Sequence, residues 1–334
     1  MKADKSRNYY QMSPAEYDNL IEKNVQKEYK KADENLEKVI IQKERKIAED
    51  LGLEHRIDIQ GKEEAYVDLK DHKNNFVEKL PCRLLNPNKT QIGRVSKILL
   101  RGIIDKICEL TRFNQWSNTK HVIDWFTQIE NKDKCHFICF DIEAYYQNIS
   151  ADLLTNALNW ATEHVVISGE DRNVIMCAKN TLLYRNGHAW TKKTPDSPHD
   201  VTMGSFDGAE SCELVGLFIL SQLQELNINV GLYRDDGLSV SHLTPRQNDM
   251  LKKRICKIFK DNGLNITIEC NKKEVDFLDV TLDLSRDSFR PYIKPNEVIQ
   301  YVSQESNHPP HVLKNICSEK YTERNKHKIV NVIC

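Results

Sequence analysis

Two apolar segments constrain the fold of this 334-residue chain more than any other feature of its sequence. Residues 135–141, CHFICFD, are apolar on both faces up to Asp141, a pattern that is typical of a central strand in a buried sheet. Residues 208–226, GAESCELVGLFILSQLQEL, are apolar nearly all round, which predicts a helix buried beneath that sheet. We therefore expect an α+β fold in which helices cover one face of an antiparallel sheet.

The flanking segments supply further helices and strands. Residues 13–50 are charged nearly all round and are predicted to be helical, with Ser13 and Glu16 at the spacing of a capping box. Ser150 is a good N-cap, and one face of the helix predicted after it carries Leu154, Leu158, Ala161 and Val165. Residues 278–284 alternate between apolar and polar side chains, which predicts a half-exposed strand that a turn at SRDS joins to a partner strand, FRPYIKP.

Charge and cysteine content narrow the class of protein. With 48 basic and 49 acidic residues the total charge gives no signal for nucleic acid, yet residues 79–101 and 251–260 are basic runs without any acid. Such runs favour phosphate binding, although a solvated helix face also explains the second run. No segment has the length and apolarity of a membrane span, so we expect an intracellular protein, nuclear or cytoplasmic, with reduced cysteines. Zinc around Cys135, His136 and Cys139 is a minor alternative.

The segment YRDDG, residues 233–237, places two carboxylates side by side between apolar runs. Asp236-Gly237 is a strong signal for a tight hairpin turn, because glycine accepts a positive φ. A second interpretation applies if this hairpin lies beside the strand that ends at Asp141, since three acids would then share one site. Like charges at that distance repel unless divalent cations neutralise them, and hard oxygen ligands suit two Mg²⁺ ions, with Mn²⁺ as an alternative.

A series of motifs resembles a known family. In order along the chain, FDIEAYYQNIS, VTMGSFDGAE, YRDDG, FKDNGLNITIE and VDFLDVTL resemble the A-to-E palm motifs of reverse transcriptases, with YRDD as Tyr-x-Asp-Asp. The segments AYVDLKDHK and YIKPN...SNHPPHVLKNI are similar to the finger and post-palm segments of Penelope-like retroelement polymerases, although Ile293 stands where that branch tends to have arginine. The resemblance covers about residues 60–317, and no GIY-YIG endonuclease follows it.

The resemblance implies a right-hand polymerase fold with fingers, a palm and a short or truncated thumb. Residues 1–60 would form a charged helical extension and residues 61–135 the fingers. Residues 136–284 would form the palm, with finger insertions around 165–200, and residues 285–334 the connection to a partial thumb.

The resemblance also implies roles for individual residues. Asp141, Asp235 and Asp236 would be the catalytic carboxylates and would hold the metals, together with the carbonyl group of Ile142. Tyr146 would be the steric gate against a ribose 2′-hydroxyl. The remaining nucleotide contacts would come from Arg83, Gly204, Ser205, Lys70, Lys73 and the motif D lysine, Lys272 or Lys273. The predicted contacts with nucleic acid are Tyr233, Arg234, Lys252, Lys253 and Lys257.

The activity implied is that of an RNA-directed DNA polymerase of a transposable element. Its partners would be a primed RNA or DNA template and dNTPs, and no membrane. Two alternatives share the same motifs: an inactive element copy that only binds nucleic acid, and an RNA-making polymerase with the same palm. A third alternative is a structural protein in which YRDDG is only a turn.

Overall fold

A computed structural model describes residues 1, 3, 9–52, 63–71, 76–87, 90–193 and 198–292. The helices, in chain order, are α1 (Pro14–Glu28), α2 (Glu34–Asp50), α3 (Phe76–Lys79), α4 (Gln91–Thr111), α5 (Thr119–Thr127), α6 (Tyr145–Asn148), α7 (Ala151–Ala161), α8 (Gly169–Cys177), α9 (Gly208–Gln224) and α10 (Pro245–Asp261). Lys73, Ile293 and the post-palm segment SNHPPHVLKNI lie outside the described residues.

The strands form four sheets. In chain order they are β1 (Tyr29–Lys31), β2 (Tyr66–Leu69), β3 (Cys82–Leu85), β4 (Asn114–Gln115), β5 (His136–Ile142), β6 (Leu183–Arg185), β7 (His188–Lys192), β8 (Asn229–Tyr233), β9 (Asp236–Ser241), β10 (Ile266–Lys272), β11 (Glu274–Phe277), β12 (Val280–Asp283) and β13 (Ser288–Pro291). Contacts divide the chain into two compact units, of which the larger comprises Met1–Asn118 and Cys135–Lys272.

The larger unit is built around a five-stranded sheet in the order β10-β5-β9-β8-β4. All its pairings are antiparallel except the two-residue pairing of β4 with β8. Helices α4, α7, α9 and α10 pack in one apolar cluster with Ile138, Phe140 and Ile142 of β5. Alternate residues of a strand point to opposite faces, so this helix layer covers one face of the sheet. The predicted mixed fold with an antiparallel sheet backed by helices is therefore confirmed.

The N-terminal segment differs in part from its prediction. The capping box is confirmed, since Ser13 Oγ accepts a hydrogen bond from the Glu16 amide at 3.3 Å. The continuous helical run over 13–50 is wrong, because Tyr29–Lys31 forms β1 and pairs with β7. Tyr29 is 93% buried there, and its hydroxyl donates to Asp200. Burial of one aromatic ring outweighs the weak helical preference of the charged residues around it.

The smaller unit comprises Thr119–Lys134 and the chain from Lys273 onward. Its described part holds α5 and the sheet β11-β12-β13. The segment after α5 contacts the turn between β12 and β13 through an ion pair of 3.0 Å between Lys132 Nζ and Asp287. The hairpin over SRDS is confirmed by the pairing of β12 with β13. The strand predicted over 278–284 is confirmed as β12, but its half-exposed character is wrong, because all four residues of β12 are buried. The strand begins at Val280, since the chain reverses at Leu278, which has a φ of 54°.

Two further expectations concern the cysteine thiols and the absence of membrane spans. Every cysteine in the described part of the chain has a free thiol. Among the described helices, none combines the length and the apolar character needed to span a bilayer.

Candidate active site

The register of the central strands brings two of the predicted catalytic carboxylates together. Asp141 of β5 lies directly opposite Asp236 of β9. The Ile142 amide donates to the Asp235 carbonyl at 2.8 Å, so Asp141 and Asp236 form a non-hydrogen-bonded pair, the kind in which opposite Cα atoms are only about 4.5 Å apart. Both side chains leave the sheet on the face away from the helix layer, because Phe140 and Ile142 point into that layer.

Asp235 lies in the turn that joins β8 to β9. Arg234 and Asp235 are the two central residues of this hairpin, since Tyr233 pairs with Asp236. Arg234, with a φ of 53°, supplies the positive φ, and its guanidinium carbon lies 5.6 Å from the centre of the Tyr233 ring. Asp141 and Asp235 are exposed and Asp236 is half-buried. The hairpin therefore presents its carboxylates to solvent at the end of a buried sheet.

Gly237 is required for a reason other than the predicted one. The turn lies at Arg234 and Asp235, so the expectation that Gly237 supplies a positive φ is wrong. Gly237 is a strand residue opposite Phe140, and a Cβ built on it would lie 2.1 Å from a carbon of the Phe140 ring. The missing side chain lets the Phe140 ring lie flat against β9, beneath the Asp141–Asp236 pair.

Gly237→Ala should therefore lower the free energy of unfolding by about 1–3 kcal/mol, the usual cost of overpacking. Chemical denaturation measures it, and Phe140→Leu in the same chain should recover part of the loss. The matched control is Gly102→Ala in α4, where an added Cβ would meet nothing within 4 Å; there alanine should stabilise the helix by about 0.5–1 kcal/mol. Equal stability of Gly237→Ala and the parent would contradict the close approach of the Phe140 ring.

The three carboxylates supply hard oxygen donors of the kind that Mg²⁺ prefers. Within the described ranges, no three or more His, Cys, Asp or Glu side chains are gathered as a ready-made metal cluster. Mg²⁺ is commonly bound by one or two carboxylates together with water and substrate phosphates. The close pair of Asp141 and Asp236, with Asp235 next in the chain, fits that donor set, whereas zinc ligation around Cys135 finds no support in these residues.

Tyr146 lies beside the carboxylate hairpin and the start of α9. It is half-buried in α6, near the Cys212 side chain. Burial raises the pKa of the Tyr146 phenol above its ordinary value, and the nearby Asp235 carboxylate acts in the same direction, whereas the Arg234 guanidinium opposes it. A Cβ placed on Gly208 would lie 3.5 Å from the Tyr146 ring. Tyr146 is therefore a protonated phenol whose surroundings include Asp235 and Gly208.

The predicted motif B residues form a tight loop next to Tyr146. Gly204 has a φ of 111°, and a Cβ there would lie 2.6 Å from the carbonyl oxygen of Asn86. Ser205 Oγ donates to the Thr202 carbonyl at 3.0 Å and would lie 2.8 Å from a Cβ on Gly208. Glycine at 204 thus allows both the left-handed conformation and the close approach of another backbone.

Arg83 is linked to the same loop through its own strand. It lies opposite Asp68 in the β2–β3 hairpin. Three residues later, the Asn86 amide donates to the Met203 carbonyl at 3.2 Å, and the Asn86 side-chain amide donates to the Leu182 carbonyl at 3.1 Å. Lys70, at the other end of the hairpin, donates its amide to Pro81. Asn86 was not among the predicted site residues, because a loop asparagine carries no signal in the sequence for the two backbone contacts that it makes here.

The predicted nucleic-acid contacts divide between the two faces of the sheet. Helix α10 packs Phe259 against Phe140, with ring centres 5.3 Å apart, so it lies on the face opposite Asp141 and Asp236. Its outer side lines a cleft of about 520 Å³ with Asp249, Lys252, Lys253, Cys256, Lys257 and Lys260. The structure therefore places Lys252, Lys253 and Lys257 away from the carboxylates, whereas Tyr233 and Arg234 flank them.

Basic side chains from two other predicted contact regions lie next to acidic side chains. Lys97 and Arg101, from the acid-free run 79–101, pair with Glu210 and Glu213 of α9 at 3.5 and 3.1 Å. The ammonium group of Lys272 lies 3.0 Å from Glu269, and this hydrogen bond raises the pKa of Lys272. The run 79–101, which contains no acid in sequence, is thus partly neutralised by residues far along the chain.

Searches against protein-family models and against curated proteins find no match. Solved structures do match. Apo telomerase from Candida tropicalis has a TM-score of 0.58 and 9% sequence identity over 82% of this chain and 52% of that chain. Telomerase from Candida albicans, in complex with a TWJ fragment of telomeric RNA, has a TM-score of 0.55 and 12% identity over 83% of this chain and 49% of that one. This chain spans about half the length of those structures, and the likeness shows a shared fold.

Proposed function

We propose that this chain is a nucleotidyltransferase that copies an RNA template into DNA. The observation that carries the proposal is the cross-strand pair of Asp141 and Asp236, with Asp235 adjacent in the turn and Tyr146 beside it. A fold shared with telomerase chains and the ordered palm motifs support the same activity. The motifs further favour a retroelement enzyme of the Penelope-like branch, acting on a primed template.

In the proposed reaction the 3′-hydroxyl oxygen of the primer forms a bond to the α-phosphorus of a dNTP. The O–H bond of the primer breaks and its proton passes to solvent, while the bond to the bridging oxygen breaks and pyrophosphate leaves with that electron pair. Asp141, Asp235 and Asp236 would hold two Mg²⁺ ions, with the Ile142 carbonyl as a further ligand. When bound, the ions would neutralise charge on the attacking and leaving oxygens.

Other residues of the chain would position the nucleotide. The guanidinium of Arg83 would form charge-assisted hydrogen bonds with the triphosphate. Gly204 and Ser205 would line the new base pair, in a loop whose positive φ at Gly204 favours glycine. The ring of Tyr146 would occupy the space beside C2′ of the sugar and exclude a hydroxyl there.

Primer extension on an RNA template, with Mg²⁺ and either dNTPs or NTPs, tests the proposal. Template-dependent incorporation of dNTPs is the expected result. A preference for NTPs would instead identify an RNA-making polymerase. Binding of the primed template without incorporation would identify an inactive copy that only binds nucleic acid, and neither binding nor incorporation would leave YRDDG as a structural turn.

The two groups of basic residues should have separable effects. Arg83→Glu is expected to raise KM for dNTP at least about tenfold, since it reverses a charge proposed to contact the triphosphate. Replacing Lys252, Lys253 and Lys257 by Gln should instead weaken template binding and flatten its salt dependence, because fewer counterions are released. Lys106→Glu, an exposed charge reversal in α4, is the control for Arg83. One shared phenotype for both groups would mean that one assignment is wrong.

A further inference from the structure

A buried polar network connects the N-terminal segment to the turn that carries Tyr146. Lys192, in β7, is 93% buried, and its ammonium group donates to Asp200 Oδ1 at 2.9 Å and to the Gln147 carbonyl at 2.6 Å. Asp200 is 98% buried and accepts the Tyr29 hydroxyl on its other oxygen at 2.5 Å. The network therefore runs from β1 through Asp200 and Lys192 to the backbone of α6.

Stability alone does not account for this network. A buried ion pair loses the hydration of both charges, and replacing it with neutral groups of similar volume often leaves stability unchanged. A buried network whose members have partners instead fixes the geometry of the groups that it joins. In this chain the joined group is the carbonyl of Gln147, the residue that follows Tyr146.

Helix α6 depends on contacts from outside itself. It has only four residues, it is entered through Ala144 in the left-handed conformation, and no side chain caps its start. Tyr145 holds it from one side by donating to the Cys212 carbonyl at 2.8 Å. Lys192 holds it from β7. A single helical turn is not stable by itself, so these two contacts contribute to fixing where the Tyr146 ring lies.

We propose that Lys192, held by Asp200 and Tyr29, is a positioning residue that fixes Tyr146 and thereby sets the discrimination between deoxyribonucleotides and ribonucleotides. This inference rests on the proposed function of Tyr146 at a nucleotide site. It gives the N-terminal segment, through Tyr29, a part in the choice of sugar.

The experiment compares kcat/KM for dGTP and for GTP on one primer-template. Lys192→Met removes the donor to the Gln147 carbonyl, but it leaves the charge of Asp200 buried beside a neutral side chain, which is destabilising. The double variant Lys192→Met/Asp200→Asn removes both charges and avoids that cost. Both variants should lower the dGTP/GTP ratio about tenfold or more, since small displacements in a site have large kinetic effects. The change should come from better use of GTP, with KM for dGTP little altered. Lys192→Arg, which keeps the charge and the donors, should restore most of the ratio.

Arg185→Met is the matched control. Arg185 lies in β6 of the same three-stranded sheet, is equally buried, and forms ion pairs with Asp18 and Glu64. Its replacement should lower thermal stability and leave the ratio unchanged. A folded, active double variant with the parent ratio would overturn the inference, as would an equal loss of discrimination in Arg185→Met. A parent protein that incorporates no nucleotide would overturn the proposed function instead, and this is seen before any variant is compared.

Discussion

Asp235→Asn is expected to reduce primer extension by about 10³-fold or more without lowering the melting temperature of the metal-free protein. The loss of activity follows from removing a proposed metal ligand at the reacting centre, where such residues act as a unit. Stability should hold because Asp235 is exposed and adjoins the Asp141–Asp236 pair. Like charges placed opposite each other are destabilising, so one charge fewer relieves repulsion.

Melting temperature as a function of Mg²⁺ concentration gives a readout that does not depend on activity. A ligand that binds only the folded state stabilises it, so Mg²⁺ should raise the melting temperature of the parent protein more than that of Asp235→Asn. Asp152→Asn, an exposed carboxylate in the first turn of α7, is the control and should behave as the parent does. Full extension by Asp235→Asn would exclude the proposed mechanism. Marked unfolding of this variant would favour the interpretation of YRDDG as a structural turn.

Much of the larger unit was predictable because its signals are local or periodic. The apolar runs identified β5 and α9, and the capping residues identified the starts of α1 and α7. The prediction that Asp141 faces the YRDDG hairpin also required only that two neighbouring strands end together. The β5–β9 register confirms that approach, whereas the roles of the carboxylates stay a prediction.

The errors arose where a contact distant in sequence decides the local structure. Gly237 resembles a turn glycine, but the Phe140 ring, almost a hundred residues earlier in the chain, is what excludes a side chain there. Leu278 continues an apolar alternation, yet the chain reverses at this residue because β11 and β12 pair with each other. Alternation measures burial on one face and carries no information about the direction of the chain.

The pairing of charges also depends on contacts that are distant in sequence. Lys97 and Arg101 belong to a run without acids, and only the packing of α4 against α9 brings Glu210 and Glu213 to them. Lys192 and Asp200 stand in sequence outside every motif that was singled out, and burial alone makes them notable. A sequence reports which charges exist, whereas their partners depend on tertiary packing.

Tyr146→Ala is expected to raise kcat/KM for GTP, relative to dGTP, by about one to two orders of magnitude. The ring is proposed to exclude the 2′-hydroxyl by steric clash, and removing a clash of this size changes selectivity within that range. The alanine variant should also lose about 1–3 kcal/mol of unfolding free energy, because it leaves a cavity between α6 and the start of α9.

Tyr146→Phe separates the ring from its hydroxyl. This variant removes only the hydroxyl and keeps the ring, so it should retain the parent preference for dGTP. The three proteins are compared on one primer-template at a temperature where all are folded. An unchanged ratio in a folded, active Tyr146→Ala protein would show that Tyr146 is not the gate. A parent enzyme that already prefers GTP would be an RNA-making polymerase, because a ring that blocks the 2′-hydroxyl cannot coexist with that preference.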